Sequence, residues 1–304
     1  RLDISKPIKS LQNLVGVVLL NQNNHWEHLN SENIQRKPYP YLMFKGAPNV
    51  GDHNNLGYRI DDPVTKKTIN IALFSGSTGY AGSPPIINQI TEKLNSLDSN
   101  SIKYSPLNFS IVSSNHNQHL HSLLQNYNNY PIDIVFFYGG YNETLQTAFY
   151  DSRPGYPYNF NVRNEMSPEE MLLMKNSYFY QMFKYKFLKS SENKPFSEKW
   201  NNAIVNNYIN TIDTARLLAK SLTTGRCKIP FIFAYQPYQM SEDLGVQNIF
   251  KEGVHSKIQN YLSNASDGID LSNSFLENKK VYTDIVHLTS AGRKVVTQNI
   301  FKSK

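Results

Sequence analysis

The sequence predicts an α/β domain built on a mostly parallel β-sheet. Two observations point there: short apolar runs rich in β-branched and aromatic residues, and stretches of helical periodicity lying between them. Strands that read as continuous apolar runs are buried on both faces, and that requires helices on both sides of the sheet. A third observation concerns function. Several apolar runs end in unusual loops, and open parallel sheets bind ligands beyond the carboxyl ends of their strands.

The elements follow in order. Residues 1–66 are rich in Asn, Pro and Tyr, with one apolar run (Leu14–Leu20) and a loop-rich stretch (Arg36–Asp62). They read as an extension packed on a main domain at 67–304. Ile69–Phe74 is the first strand, running into the tight turn Ser75-Gly76-Ser77-Thr78-Gly79. Pro84-Pro85 then opens a helix with Ile86, Ile87, Ile90 and Leu94 on one face, proline being suited to a helix's first turn. Phe109–Val112 is expected as the second strand, with a helix over His119–Leu124. Ile132–Tyr138 is the third strand, stopped by Gly139-Gly140. Helices are expected over Pro168–Leu188 and Ser197–Leu222, a fourth strand over Ile229–Tyr235 and a helix over Val246–Leu262. A short fifth strand at Val281–Tyr282 precedes a last helix, Ser290–Phe301, with Thr289 as its N-cap.

Composition bounds the function. The 304 residues are 39% hydrophobic and 18% charged, enough for a substantial core. The formal net charge is +7, but Lys and Arg are scattered with no run of five, so the expectation is a basic solvated surface and no nucleic-acid partner. The only cysteine, Cys227, excludes an internal disulfide and reads as structural. Leu14–Leu20 spans seven residues, far short of the roughly 20 that cross a bilayer. The chain opens on Arg1 rather than Met, which leaves room for a signal peptide or membrane anchor outside the given chain.

Three segments have residue types that carry chemistry. Ser77 follows a strand and is flanked by Gly76 and Gly79, as suits an exposed nucleophile at a sharp bend; an ordinary glycine turn is the alternative. In Asp284-Ile285-Val286-His287, an imidazole with a carboxylate three residues earlier can act as an oriented base, or be a packed His beside a solvated Asp. Asn142, in Gly139-Gly140-Tyr141-Asn142-Glu143, can donate to a developing oxyanion, or simply cap a turn. His116, His119 and His121 form an H-x-x-H-x-H cluster without a nearby Cys or carboxylate in the sequence. No metal site is therefore expected, and His116 is placed near a pocket mouth. The loop Asp151–Phe160 is rich in aromatics and turn formers, suiting either a substrate lid or surface decoration, with Arg153 as a binder of acidic groups.

Together and in this order, the strand leading into Gly76-Ser77-Thr78, then Gly140-Tyr141-Asn142-Glu143, then Asp284-Ile285-Val286-His287-Leu288-Thr289-Ser290-Ala291-Gly292 resemble the SGNH, or GDSL, hydrolases. The resemblance spans about Ile69 to Phe301. Upstream, Asn55-Leu56-Gly57-Tyr58-Arg59 is similar to the lead-in of a membrane-anchored or secreted subgroup. The resemblance implies a three-layer α/β/α, flavodoxin-like fold and an extracytoplasmic setting, periplasmic or at the cell surface. It makes Ser77 the nucleophile, His287 the general base and Asp284 its orienting carboxylate, with Asn142 and the Ser77 backbone N–H as oxyanion donors. The sequence departs from the family at Ser75 and Glu143, and in having no glycine between Gly82 and Gly139, where the family takes a further backbone donor. Ser114 or Asn115 falls at that place and is expected to supply the N–H.

The implied activity is hydrolysis of an ester-bearing glycan or lipid through an acyl-enzyme at Ser77, with Tyr141, Arg153 and His116 touching substrate and no cofactor. The same residues allow an O-acyltransferase, such as an O-acetyltransferase of a cell-surface polysaccharide. The missing glycine motivates a third reading, a glycan-binding module with a decayed site.

Overall fold

The computed structural model describes residues 36–61, 64, 68–97, 103–144, 154–157, 169, 172–173, 176–180, 197–222, 228–239, 251–275 and 281–302. Five parallel strands form the sheet: β3 (Ile69–Ser75), β4 (Tyr104–Asn108), β5 (Ile134–Gly139), β6 (Phe231–Tyr235) and β7 (Gly268–Asp270), in the order β4-β3-β5-β6-β7. A separate antiparallel hairpin, β1 (Arg36–Tyr39) and β2 (Met43–Gly46), precedes them. The helices are α1 (Ser77–Tyr80), α2 (Ile86–Leu97), α3 (His116–Asn126), α4 (Glu198–Ser221), α5 (Ser256–Ser263) and α6 (Ser290–Lys302), with a π-helical turn over Lys251–His255 leading into α5. Among the described residues no helix is long and apolar enough to cross a membrane.

Strand side chains alternate between two cores, because successive residues point to opposite faces. Ala72 and Phe74 of β3, Val135 and Phe137 of β5, and Phe231, Phe233 and Tyr235 of β6 face one core. It is closed by the α4 stripe Ile204, Val205, Tyr208, Ile212, Ala215 and Ala219, at helical spacing, and by Leu123 of α3. Ile71, Leu73, Phe136, Tyr138 and Ala234 face the other core, closed by Ile86, Ile87 and Ile90 of α2 and Val296 of α6. The result is three layers, with the sheet in the middle. Leu42 and Phe44 of the hairpin segment, and Tyr58 and Ile60 beyond it, belong to the first core. Arg59 bridges to Asn108 at the β4 edge and donates to the Tyr80 and Gly82 carbonyls.

Helix ends follow local chemistry. The Ser197 hydroxyl accepts from Trp200 N–H (3.2 Å) and caps α4, while Asn115 and Gln118 form a reciprocal capping box on α3. Thr289 Oγ1 accepts from Gly292 N–H (3.2 Å), the cap expected for α6.

Two strand assignments need correction. The second strand is Tyr104–Asn108, not Phe109–Val112. Pro106 argues against a strand interior, but β4 is an edge strand, where a proline's missing N–H is tolerated. Phe109 and Ile111 still donate to Leu73 and Ser75 carbonyls at 2.9 Å each, so the chain keeps following β3 past the strand's end. The fifth strand is Gly268–Asp270, not Val281–Tyr282. Three residues with one apolar side chain carry no period, and pairing with Phe233–Tyr235 alone sets them. Tyr282 makes an isolated bridge to Leu288. The helix expected over Val246–Leu262 enters through the π turn, its first residues lying outside the described ones, as do Leu14–Leu20, Cys227 and most of Pro168–Leu188.

Phe74 is fully buried and stacks on Phe109 at 5.0 Å. Phe74→Ala is expected to lower the unfolding free energy by about 3–5 kcal/mol in denaturant titration. A loss below about 1 kcal/mol would contradict the packing described.

Candidate active site

The chain leaves β3 to one side for β4 and returns on the other side for β5. The connections leaving the paired carboxyl ends of β3 and β5 therefore diverge at the switch in strand order, where such sheets form a crevice. Ser77 follows β3 directly, in the first turn of α1, where backbone N–H groups lack an intrahelical acceptor. Gly76 before it is buried, and a Cβ there would overlap the Asn142 amide and crowd the Ser114 carbonyl. That close approach is the reason for glycine at 76.

His287 and Asp284 arrive on a loop closed at its neck. Thr283 N–H donates to the His287 carbonyl and Thr289 N–H to the Val281 carbonyl, each at 2.8 Å, around the Tyr282–Leu288 bridge. Asp284 Oδ1 accepts from the backbone N–H groups of Val286 and His287, both at 2.8 Å, so the carboxylate also folds its own loop. His287 Nδ1 lies 2.8 Å from Asp284 Oδ2, and His287 Nε2 lies 2.7 Å from Ser77 Oγ. Burial pushes the Asp284 carboxyl up, but hydrogen bonds from the His287 ring and the two backbone N–H groups outweigh it and hold the carboxyl below its ordinary 3.8. An ionised carboxylate only accepts, so Nδ1 carries the hydrogen. In the neutral ring Nε2 is then an acceptor, and the Ser77 hydroxyl donates to it. In this geometry the Ser77 hydroxyl can pass its proton to His287 Nε2.

Asn142 follows β5. Its Nδ2 donates to the Ser114 carbonyl at 2.7 Å, which fixes the amide beside Gly76. Gly140 adopts φ +140°, and a Cβ there would run into the Tyr235 ring, so the turn after β5 requires glycine. Thr78 Oγ1 donates to Gln236 Oε1 at 3.1 Å, tying the turn after Ser77 to the end of β6.

The expectation that Ser114 or Asn115 supplies a backbone oxyanion donor is corrected. Ser114 N–H closes a turn on the Ile111 carbonyl (3.1 Å), and Asn115 N–H is taken by Gln118 Oε1 (3.1 Å) in the capping box. The neighbouring Ser113 has φ 64°, the left-handed backbone that glycine most readily supplies. Its N–H has no hydrogen-bond partner among the described residues. Sequence reasoning missed Ser113 because serine gives no sign of that conformation. Gln236 was missed because a residue just past a strand's end gives no sign of what its side chain will meet.

His116 does not stand at a pocket mouth. It is 1% exposed, and its Nδ1 lies 2.9 Å from Nδ1 of His119, itself fully buried. Burial lowers the pKa of both rings. His121 is on the exposed side of α3, stacked on Tyr41. Glu143 after β5 supplies the carboxylate that the sequence had not placed near these histidines, 3.4 Å from His116 Nδ1. Tyr141 is half-buried, its ring 5.8 Å from that of Tyr238. Tyr156, 43% exposed, is held by Asn115 Nδ2 at its carbonyl (2.8 Å); Arg153 lies outside the described residues.

Neither a protein-family model nor a curated protein matches the sequence. The structure is similar to solved structures of G-D-S-L lipolytic proteins and acetylxylan esterases. One is a member of the lipolytic G-D-S-L family from Veillonella parvula, at 12% identity and a TM-score of 0.45, over 77% of this chain and 97% of that one. Another is Axe2, an acetylxylan esterase from Geobacillus stearothermophilus, at 13% identity and 0.44, over 79% and 96%. A third is the acetyl xylan esterase AlAXEase, at 14% and 0.40, over 77% and 98%. These are likenesses of fold, at identities too low to carry a residue's role from one chain to another.

A folded carboxyl more acidic than its unfolded counterpart stabilises the fold above the unfolded pKa, and that contribution fades as pH falls through the folded value. Wild type is therefore expected to exceed Asp284→Asn in stability near neutrality, with the gap narrowing below the ordinary value of 3.8 in unfolding titrations. A gap unchanged between about pH 7 and pH 3 would contradict the assignment.

Proposed function

We propose that the protein is a serine-dependent ester hydrolase working through an acyl-enzyme at Ser77. The observation that carries this reading is the continuous relay from Asp284 through His287 to the Ser77 hydroxyl. As Ser77 Oγ bonds to the ester carbonyl carbon, its proton passes to His287 Nε2, and Asp284 stabilises the imidazolium that forms. The carbonyl oxygen becomes an oxyanion. The donors proposed for it are the N–H groups of Ser77 and Ser113 and the Asn142 amide, supported by the first-turn position of Ser77, the left-handed turn at Ser113 and the fixing of Asn142 by Ser114. Collapse of this intermediate breaks the ester C–O bond, and His287 gives its proton to the departing alcohol. Water then attacks the acyl-Ser77 carbonyl, losing its proton to His287, and the carboxylic acid leaves with Ser77 restored.

The ester is proposed to sit on a glycan or a lipid. Tyr141 and Tyr156 present amphipathic rings, suited to sugar faces or acyl chains, on segments close to Asn142 and Asn115. Transfer of the acyl group to a sugar hydroxyl would use the same acyl-enzyme with a different second nucleophile. Weighing a candidate glycan after incubation with enzyme and acyl donor separates the two: added acyl mass marks transfer, and free acid alone marks hydrolysis.

Ser77→Ala is expected to abolish turnover of a chromogenic acetyl ester with the circular dichroism of the wild type retained, and undiminished turnover in that variant would end the proposal. Asn142→Ala is expected to lower kcat by about 10²–10³ with little change in KM, the pattern of a donor that acts mainly on the transition state.

A further inference from the structure

A second polar cluster lies beneath the site, and the ester chemistry makes no use of it. It consists of His116 and His119 in the first turn of α3 and Glu143 in the turn after β5, which are 1%, 0% and 3% exposed. One ligand atom from each lies within 4.8 Å of the other two. The two histidine Nδ1 atoms are 2.9 Å apart, and His116 Nδ1 is 3.4 Å from Glu143 Oε1. Nitrogen and oxygen ligands at about 2.0–2.1 Å from a tetrahedral zinc ion stand roughly 3.3 Å from one another, and these separations bracket that value.

The surroundings prepare His119 as a ligand. Its Nε2 lies 2.7 Å from Ser114 Oγ, which also lies within hydrogen-bond distance of the carbonyls of Ile111 (2.6 Å) and Ser75 (3.3 Å). Carbonyls only accept, so the Ser114 hydroxyl spends its hydrogen on them and His119 Nε2 must donate. In a neutral ring that leaves the Nδ1 lone pair facing the cluster, the kind of outer hydrogen bond that fixes a metal-binding histidine. Glu143 is fixed in the same way: its side chain is 2% exposed, and its Oε2 accepts from the Gly140 N–H at 2.7 Å, which orients the carboxylate beside the histidines. The fully buried Tyr208 hydroxyl, on a ring 5.5 Å from that of His116, finds no hydrogen-bond partner among the described residues.

We propose that His116 Nδ1, His119 Nδ1 and the Glu143 carboxylate bind one divalent transition-metal ion as a structural clasp between α3 and the loop after β5. Two imidazoles with one carboxylate favour zinc over magnesium or calcium, which prefer all-oxygen sites. The ion grips the segment carrying Asn142 from both ends. Glu143 adjoins Asn142 in the chain, and His119 holds Ser114, whose carbonyl receives the Asn142 amide. Binding of the ion is independent of the esterase reading; its effect on turnover rests on that reading.

The test uses the full chain, stripped with a chelator and titrated with zinc, and with cobalt(II) as a spectroscopic stand-in. Expected are one equivalent of metal retained through gel filtration, visible d–d absorption from cobalt, and a higher Tm on loading that the chelator reverses. His116→Ala and His119→Ala are expected to lose the metal, while Ser77→Ala keeps it. Stripping is expected to lower kcat roughly 10- to 100-fold with KM little changed. No retained metal and no Tm shift in the wild type would overturn the site, even if the histidine variants fail to fold. Nitrogen-15 spectra showing a hydrogen on His116 Nδ1 in excess zinc would overturn it too, since a proton shared between the two rings then accounts for their spacing. Metal bound with kcat unmoved would overturn the clasp's link to Asn142. Metal bound by a wild type that hydrolyses no ester would count against the esterase alone.

Discussion

The hydrogen bond from the Ser77 hydroxyl to His287 Nε2 joins residues 210 positions apart, and the rest of the site is arranged around it. Neither partner is held by the other. Ser77 is set by the end of β3 and the single turn of α1, and His287 by a loop that Asp284 folds through its own backbone N–H groups. The sheet supplies the common frame. Because β3 sits inside it with β5 as a parallel neighbour, the end of β3 is fixed on both sides before any side chain is considered. A hydroxyl placed so firmly becomes useful only when the base opposite it has one defined tautomer, and the ionised Asp284 sets that.

The turn beside Asn142 is built differently. It carries a left-handed serine, Ser113, and then uses Ser114 as a hub. The Ser114 carbonyl receives Asn142, its hydroxyl meets His119, and its N–H closes the turn. A non-glycine residue at φ 64° costs free energy, and the turn persists because its neighbours over-determine it. The buried histidine pair and Glu143 belong to that support, since they stand between the turn after Ile111 and the turn after Gly139. The left-handed turn at Ser113 thus rests on a polar scaffold below the loop.

How much of this was legible in the sequence follows from physical range. β3, β5, β6, α2, α4 and α6 were readable, within a few residues at their ends, because their apolar periodicity and end residues are local. β4 was misplaced because Pro106 speaks against a strand unless the strand is known to be an edge, which only the assembled sheet reveals. β7 was missed because three residues paired to β6 carry no period of their own. In the site, Ser77, Asp284, His287 and Asn142 were visible as chemistry-bearing types at strand ends, and the structure brings all four together. Ser114 and Asn115 were misassigned because the fate of a backbone N–H depends on neighbours three residues away. The His116–His119–Glu143 cluster was invisible as a unit, because its carboxylate comes from the turn after β5, a different segment from the helix that carries the histidines.

The most direct test of the account is the reaction of the protein with a fluorophosphonate, followed by peptide mass spectrometry. The account predicts one adduct per chain, on Ser77, with labelling slowed strongly in His287→Ala because the hydroxyl has lost its base. Absence of any adduct on the folded wild type, or labelling of Ser77 at the same rate without His287, would contradict it.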